Sequence, residues 1–308
     1  IWDISPTTNA LPIKNALMLS ETPSNKVWLS GNPFNLSSSI GVNLLLRPSL
    51  VSITCFTLDG DVPPSEVIIV LDGELISLQG RPGDLGYKDE EVEALVDEAH
   101  RKKMKVACHA RSAEAVKQAV RSGIDFIGHA NYIDNEALDL LIENKDRVYV
   151  GPAIAWEMAF LENAEKMGFK SDSREVIGYQ REVEETISSY KKMKEAGIKI
   201  LVGGDYGLDI APHGTYAKDL EHYVNLFGFS NAEALHSATS LGGEAMDNNG
   251  SLGTLEEGKL ADLVIIDGNP LEDITVLQDH KKIKAVMKDG LIYQGLTNKT
   301  NPYLNENL

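Results

Sequence analysis

Beyond residue 61 the chain settles into an alternation that few folds can satisfy. Apolar runs of four or five residues recur at 67–71, 105–108, 124–127, 147–150 and 198–202. Each is bounded by polar residues. Strands that are apolar throughout, and not merely on every second residue, are buried on both faces, as in a parallel sheet covered by helices. The intervening stretches carry the helical period. Across 88–103, Val92, Leu95, Val96 and Ala99 stand at i, i+3, i+4 and i+7, one face of a helix. Helices are also expected over 113–122, closed by Gly123, over 135–143, and over 183–196, closed by Gly197. Two more follow over 217–227 and 231–246, the second with Ser230 and Glu233 in capping-box positions. Strand followed by helix, repeated, is the grammar of βαβ units. Five such units can be counted, whereas a closed (β/α)8 barrel of the TIM type needs eight.

The flanks read differently. Residues 1–60 are rich in Ser, Asn, Pro and Thr, with short apolar runs at 16–19 and 41–46 and no helical period, so short strands and loops are expected there. At the other end, 260–267 reads as a strand and 283–293 as a hairpin turning at Asp289-Gly290. The expected organisation is an irregular N-terminal segment (1–60), barrel units (61–250) and a small β appendage (251–308).

Composition enters only by exclusion. A formal net charge of −17 repels phosphate backbones, so nucleic acid is not an expected partner. Cys55 and Cys108 are too few for a disulfide framework and read as buried thiols. No apolar run approaches the roughly 20 residues that span a bilayer, and no secretory leader is legible. A soluble, cytoplasmic protein without a membrane partner is expected; assembly into a homo-oligomer is left open.

Of seven histidines, His100, His222, His236 and His280 lie on helices or among charges and read as structural. His109 and His129 differ, because each directly follows a predicted buried strand. Catalytic residues of an α/β barrel gather at the C-terminal ends of its strands. Parallel neighbours would bring the two imidazoles to one rim. Asp205 follows the 198–202 strand after Gly203-Gly204, in the corresponding place. Two imidazoles and a carboxylate suit a divalent metal such as zinc.

Several stretches together resemble the amidohydrolase superfamily, most closely its imidazolonepropionase-like, prolidase-like and ochratoxinase-like members. They are Cys108-His109-Ala110-Arg111-Ser112, Gly128-His129-Ala130, Gly203-Gly204-Asp205-Tyr206-Gly207 and Pro212-His213-Gly214-Thr215. The segment from Leu252-Gly253-Thr254 through Gly258-Lys259-Leu260-Ala261-Asp262 looks like the place where that superfamily's chain leaves the barrel for a small β domain. The resemblance implies hydrolysis of an amide-type C–N bond in an N-acyl amino acid or dipeptide-like small molecule. It implies His109, His129 and Asp205 as metal ligands, with Asp205 also shuttling a proton. It implies Arg111, Tyr132 and His213 as substrate contacts.

The pattern also breaks. The superfamily's His-x-His pair has no counterpart, since no two histidines here stand two residues apart. Ile69 occupies the place of the superfamily's bridging lysine. In the superfamily that lysine is carbamylated; Asp72 or Glu74 could supply an oxygen ligand instead, although they read first as turn residues. One bound ion is therefore expected, not two. The resemblance leaves a second reading open, that of a catalytically impaired relative serving as a binding module.

Overall fold

The structure is a computed structural model that describes residues 66–75, 80–246 and 249–295. Before these it describes only the backbone of strands β1 (Ala16–Thr22), β2 (Asn25–Gly31), β3 (Ile40–Leu45) and β4 (Leu50–Phe56). Side chains are described from Val67 onward, Gln294 excepted, so the thiol of Cys55 lies outside the described residues.

The chain divides into two compact units: residues 2–152 with 161–199, and residues 153–160 with 200–308. The first is built on a nine-stranded sheet whose order follows the sequence, β1 to β9. β1 to β4 and then β5 (Glu66–Val70) pair antiparallel. From β5 the direction is fixed: β6 (Lys105–Ala110), β7 (Phe126–His129) and β8 (Tyr149–Gly151) each pair parallel with the strand before, and β9 (Lys199–Ile200) lies beside β8. These are the five strands expected from the apolar runs.

The crossovers of the first unit are helices α1 (Asp89–Arg101), α2 (Ala113–Arg121) and α3 (Asn135–Glu143), and, after α4 (Ile154–Asn163), most of which belongs to the second unit, α5 (Arg174–Glu195). Their apolar stripes face inward: Val92, Val96 and Ala99 on α1, Ala115, Val116, Ala119 and Val120 on α2, Ala137 and Leu141 on α3. They close over Ile69, Val106, Ile127 and Val150, one fully buried branched residue from each of β5 to β8. Each such side chain contributes roughly 1.5–3 kcal/mol by leaving water. Side-chain caps start the helices, with Ser112, Asp134 and Ser173 accepting from the N–H of Ala115, Ala137 and Val176. The Ser173 cap begins α5 at Arg174, well ahead of the expected 183.

β7 differs from expectation in a way that matters for the site. It starts at Phe126, not Ile124, and runs through His129. Ile124 is used up closing α2, its N–H donating to Ala119 O at 3.0 Å. Asp125 is pinned to the start of β6: its N–H donates to Val106 O at 2.9 Å and its Oδ2 accepts from Val106 N at 2.8 Å.

The second unit holds α6 (Ala217–Phe227), α7 (Asn231–Ala238) and α8 (Ser240–Met246). The single helix expected over 231–246 is thus two, broken at Thr239, whose hydroxyl donates back to Leu235 O at 2.7 Å. A three-stranded antiparallel sheet follows, of β10 (Leu263–Ile266), β11 (Ile283–Lys288) and β12 (Leu291–Gln294). The β11–β12 turn is Asp289-Gly290 with φ of 50° and 76°, the doubly positive turn that the Asp-Gly pair predicts. Among the described residues no helix is long and apolar enough to cross a membrane.

Candidate metal centre

His109 and His129 come from neighbouring parallel strands, but not from the same register level. His109 stands opposite Val70 on one side and Gly128 on the other, whereas His129 stands opposite Ala110. Side chains alternate faces along a strand, so regular β geometry would send these two imidazoles to opposite faces. The backbone corrects this. His129 has φ of 77° and Ala130 of 45°, both left-handed. That conformation costs a non-glycine residue about 1–2 kcal/mol, and such strain clusters at functional sites. The result is two rings with centroids 4.3 Å apart and planes 64° apart.

The third member arrives from the loop after β5. Glu74 Oε1 lies 3.8 Å from His109 Nδ1. Glu74, His109 and His129 each offer a ligand-type atom, and the three atoms lie within 4.8 Å of one another. Both His109 Nε2 and His129 Nδ1 are buried and have no hydrogen-bond partner. Asp72 Oδ1 lies 4.0 Å from His109 Nε2, too far for a hydrogen bond. Buried polar atoms are nearly always satisfied, so two orphaned imidazole nitrogens beside a carboxylate ask for a cation. Burial first, and the Arg111 charge second, hold both imidazoles below the ordinary histidine pKa; for His109 the nearby Glu74 and Asp72 oppose that shift. Neutral imidazoles are the form that binds metal. The donor set therefore fits a divalent ion of the zinc type.

Asp72 and Glu74, two residues apart, have separate tasks. Asp72 is buried and ties the loop together: Oδ1 accepts from Arg111 N at 2.9 Å, Oδ2 from Ser112 N at 2.9 Å and from Gly83 N at 3.0 Å. It is a turn residue, as first read. Glu74 is the one that faces the histidines.

A polar stripe on α5 supports this group. Glu182, Thr186, Ser189 and Tyr190 are all buried and fall on one helical face. Tyr190 OH donates to His129 O at 2.8 Å, and Ser189 Oγ to Asn131 O at 2.8 Å. Thr186 Oγ1 accepts from Asn131 Nδ2 at 2.7 Å and donates to Glu182 O at 2.7 Å. Glu182 pairs through Oε1 with Arg111 Nη1, and its Oε2 accepts from Tyr132 OH at 2.8 Å. Arg111 is fully buried; its Nη2 also lies 3.4 Å from Glu74 Oε1.

The structure thus brings together His109, His129, Arg111 and Tyr132 and adds Glu74 and Glu182. Asp205 and His213 belong to the second unit. There Asp205 is exposed, with a left-handed φ of 57°. His213 is exposed as well, its Nδ1 2.8 Å from Tyr216 OH. In the same unit Asp219 is buried, and burial pushes its carboxyl up to about 7. The Tyr206 hydroxyl opposes that shift, although its approach falls short of ordinary hydrogen-bond geometry.

Comparison with known proteins identifies the family. The amidohydrolase family model matches residues 73–292, well over half of the chain. The chain belongs to the amidohydrolase family. It is 28% identical over 228 residues to ochratoxinase of Aspergillus niger, which covers 74% of this chain and 46% of that protein. Among solved structures it is similar to a Xaa-Pro dipeptidase with methionine bound in its active site: TM-score 0.64, 33% identity, 75% of this chain and 55% of that one. It is also similar to a prolidase complexed with N-methylphosphonate-L-proline, with a TM-score of 0.68, 28% identity, 76% of this chain and 55% of that one. The chain spans about half the length of the relatives it matches. Family and neighbours agree with the fold class read from the sequence, an α/β fold of the TIM-barrel type, incomplete or altered at its N-terminal units, with a small β appendage at the C-terminal end.

Proposed function

We propose that this chain carries a divalent-metal hydrolase site for amide-type C–N bonds, with an N-acyl amino acid or dipeptide-like molecule as substrate. His109, His129 and Glu74 would hold the ion, with Asp205 joining them as ligand, and zinc is the metal proposed. When bound, such an ion lowers the pKa of a water molecule towards neutrality and polarises the carbonyl under attack. The rest falls to the chain's own residues. The imidazoles of His109 and His129, both held below the ordinary histidine pKa chiefly by burial, offer lone pairs without first shedding a proton. The Asp205 carboxylate accepts the proton of the attacking water and returns it to the leaving nitrogen, which becomes an amine. Tyr132 and His213 are assigned to contacts with the substrate. Arg111 is assigned to it as well, acting from its buried position through its positive charge. The cytoplasm is the proposed compartment.

The observation that carries this reading is the pair of buried, unpartnered imidazole nitrogens beside Glu74, in a chain of this family. The test uses zinc-loaded protein and a panel of N-acyl amino acids and X-Pro dipeptides. Turnover is expected on at least one class, with Asp205→Asn slowing it by about 10²–10⁴-fold, the usual reach of general acid–base catalysis. Absence of turnover on the whole panel by protein that holds zinc would favour a second reading, a relative that binds and does not cleave. The observation behind that reading is the lack of any His-x-His pair.

A further inference from the structure

We infer that Gly178, on α5, is a positioning residue: its lack of a side chain leaves the seat for Leu75, and Leu75 sets where its neighbour Glu74 presents a carboxylate to the metal ion. This rests on the proposed metal site and adds to it a residue outside the ligand set.

Glu74 stands at the start of a loop with a narrow neck. Gly73 N–H donates to Arg81 O at 3.2 Å, and a Cβ on Gly73 would stand 2.2 Å from the carbonyl carbon of Gly80. Asp72 pins the base of that neck through the N–H groups of Gly83, Arg111 and Ser112. Glu74 lies just past it. Its carboxylate reaches Arg111 Nη2 at 3.4 Å and His109 Nδ1 at 3.8 Å, both long contacts that a small backbone movement would break. The placement of Glu74 therefore depends on the residues on either side. Gly73 is held in the neck, and Leu75 is held against α5. A Cβ on Gly178 would have Leu75 Cδ1 at 3.2 Å, Cδ2 at 3.7 Å and Cγ at 3.9 Å as its nearest neighbours. The first distance is shorter than carbon atoms ordinarily pack. Glycine is a poor helix former, yet this one lies inside a helix of 22 residues. The close approach of Leu75 gives a reason for it. Gly178 also stands one turn before Glu182, on the face of α5 that carries Thr186, Ser189 and Tyr190. From that face Tyr190 OH donates to His129 O. One helix thus braces two members of the ligand set, His129 through Tyr190 and Glu74 through Leu75. A larger side chain at 178 would push Leu75 off α5 and carry Glu74 with it.

Cobalt(II) titration of the whole chain, followed by visible absorption, tests this without needing a substrate. Glu74→Gln should weaken cobalt binding. Leucine is a good helix former, so Gly178→Leu does not weaken α5 itself. It should nevertheless weaken cobalt binding by about tenfold or more, as disturbing the residues that orient ligands commonly does. Leu75→Ala, which leaves α5 untouched, should weaken binding as well. Together, Leu75→Ala and Gly178→Leu move the leucine to the other side of the same contact. That double variant should bind cobalt at least about threefold more tightly than Gly178→Leu alone, a rescue that general damage to the fold would not give. In a Glu74→Gln background, Gly178→Leu should change affinity by less than about threefold, because the path runs through Glu74. An unchanged affinity in Gly178→Leu, while Glu74→Gln weakens binding, would overturn the inference and leave the metal site standing. A double variant no better than Gly178→Leu, or equal losses from Gly178→Leu in both backgrounds, would overturn it too. A parent protein that takes up no cobalt, or a Glu74→Gln protein that binds it as well as the parent, would overturn the reading beneath and the inference with it. Should Gly178→Leu not fold, Leu75→Ala decides alone. It should weaken binding when Glu74 is present and leave it unchanged in Glu74→Gln; any other result would overturn the inference.

Discussion

Replacing Asp72 by alanine should destabilise the protein strongly, even with no metal bound. The carboxylate accepts three backbone N–H groups, from Arg111 and Ser112 at 2.9 Å and from Gly83 at 3.0 Å. These bonds join the end of β6 and the start of α2 to the loop after β5. The three donors would not suffer alike. Arg111 is fully buried, so its orphaned N–H carries the larger penalty, about 1.5–3 kcal/mol for a lost charge-assisted bond. Ser112 is half-buried and would lose roughly 1–1.5 kcal/mol. Gly83 is exposed, so water replaces the carboxylate there at a cost of about 0.5 kcal/mol or less. The sum is about 3–5 kcal/mol, a large share of the 5–15 kcal/mol that keeps a typical domain folded. Asp72→Asn keeps one acceptor oxygen and should lose about half as much. The assay is urea unfolding in EDTA, followed by far-UV circular dichroism and comparing midpoints at a common slope. A loss below about 1 kcal/mol for Asp72→Ala would refute the reasoning, since the three N–H groups would then have other partners waiting.

Two further outcomes follow from buried groups. Tyr190→Phe removes the hydroxyl that donates to His129 O at 2.8 Å and should lower stability by about 1–2 kcal/mol. Because that carbonyl belongs to a residue in a left-handed conformation, it should also weaken cobalt binding, whereas a stability loss alone would mean that His129 keeps its pose unaided. Asp219 supplies a pH dependence. Burial pushes its folded carboxyl up to about 7 from 3.8, so between those values the native state holds the proton more tightly than the unfolded chain does. The associated stability is present at about pH 4 and is lost as pH rises through 7, to a limit of about 4 kcal/mol. Asp219→Asn carries no titrating group, so melting curves across that window should fall less steeply than the parent's. Parallel curves would contradict the assignment.

Much of this architecture was legible in the sequence because its signals are local. Apolar runs marked the five parallel strands, Asp289-Gly290 marked the last hairpin, and the strand-end positions of His109 and His129 marked the rim. What was not legible depended on pairing. β7 begins at Phe126 because Asp125 is tied to Val106, a bond between strands that no window along the chain contains. The one-residue offset between the two histidines, and the left-handed turn that cancels it, follow from the same register. Asp72 and Glu74 cannot be told apart from spacing: both follow β5 and both are acidic. Which one caps the turn and which one faces the histidines is decided by backbone donors from Gly83, Arg111 and Ser112. Glu182 gave no signal, because a buried acid on an otherwise charged helix looks like solvated surface until its Arg111 partner, 71 residues away, is seen.

Glu74, His109 and His129 would together form one divalent-metal site. Its most direct test is metal content per chain, by elemental analysis after equilibration with zinc and removal of the excess. About one zinc per chain is expected for the parent, with a marked loss in His109→Ala, in His129→Ala and, more weakly, in Glu74→Gln. A parent without zinc, or a His109→Ala protein that retains the full complement, would contradict it.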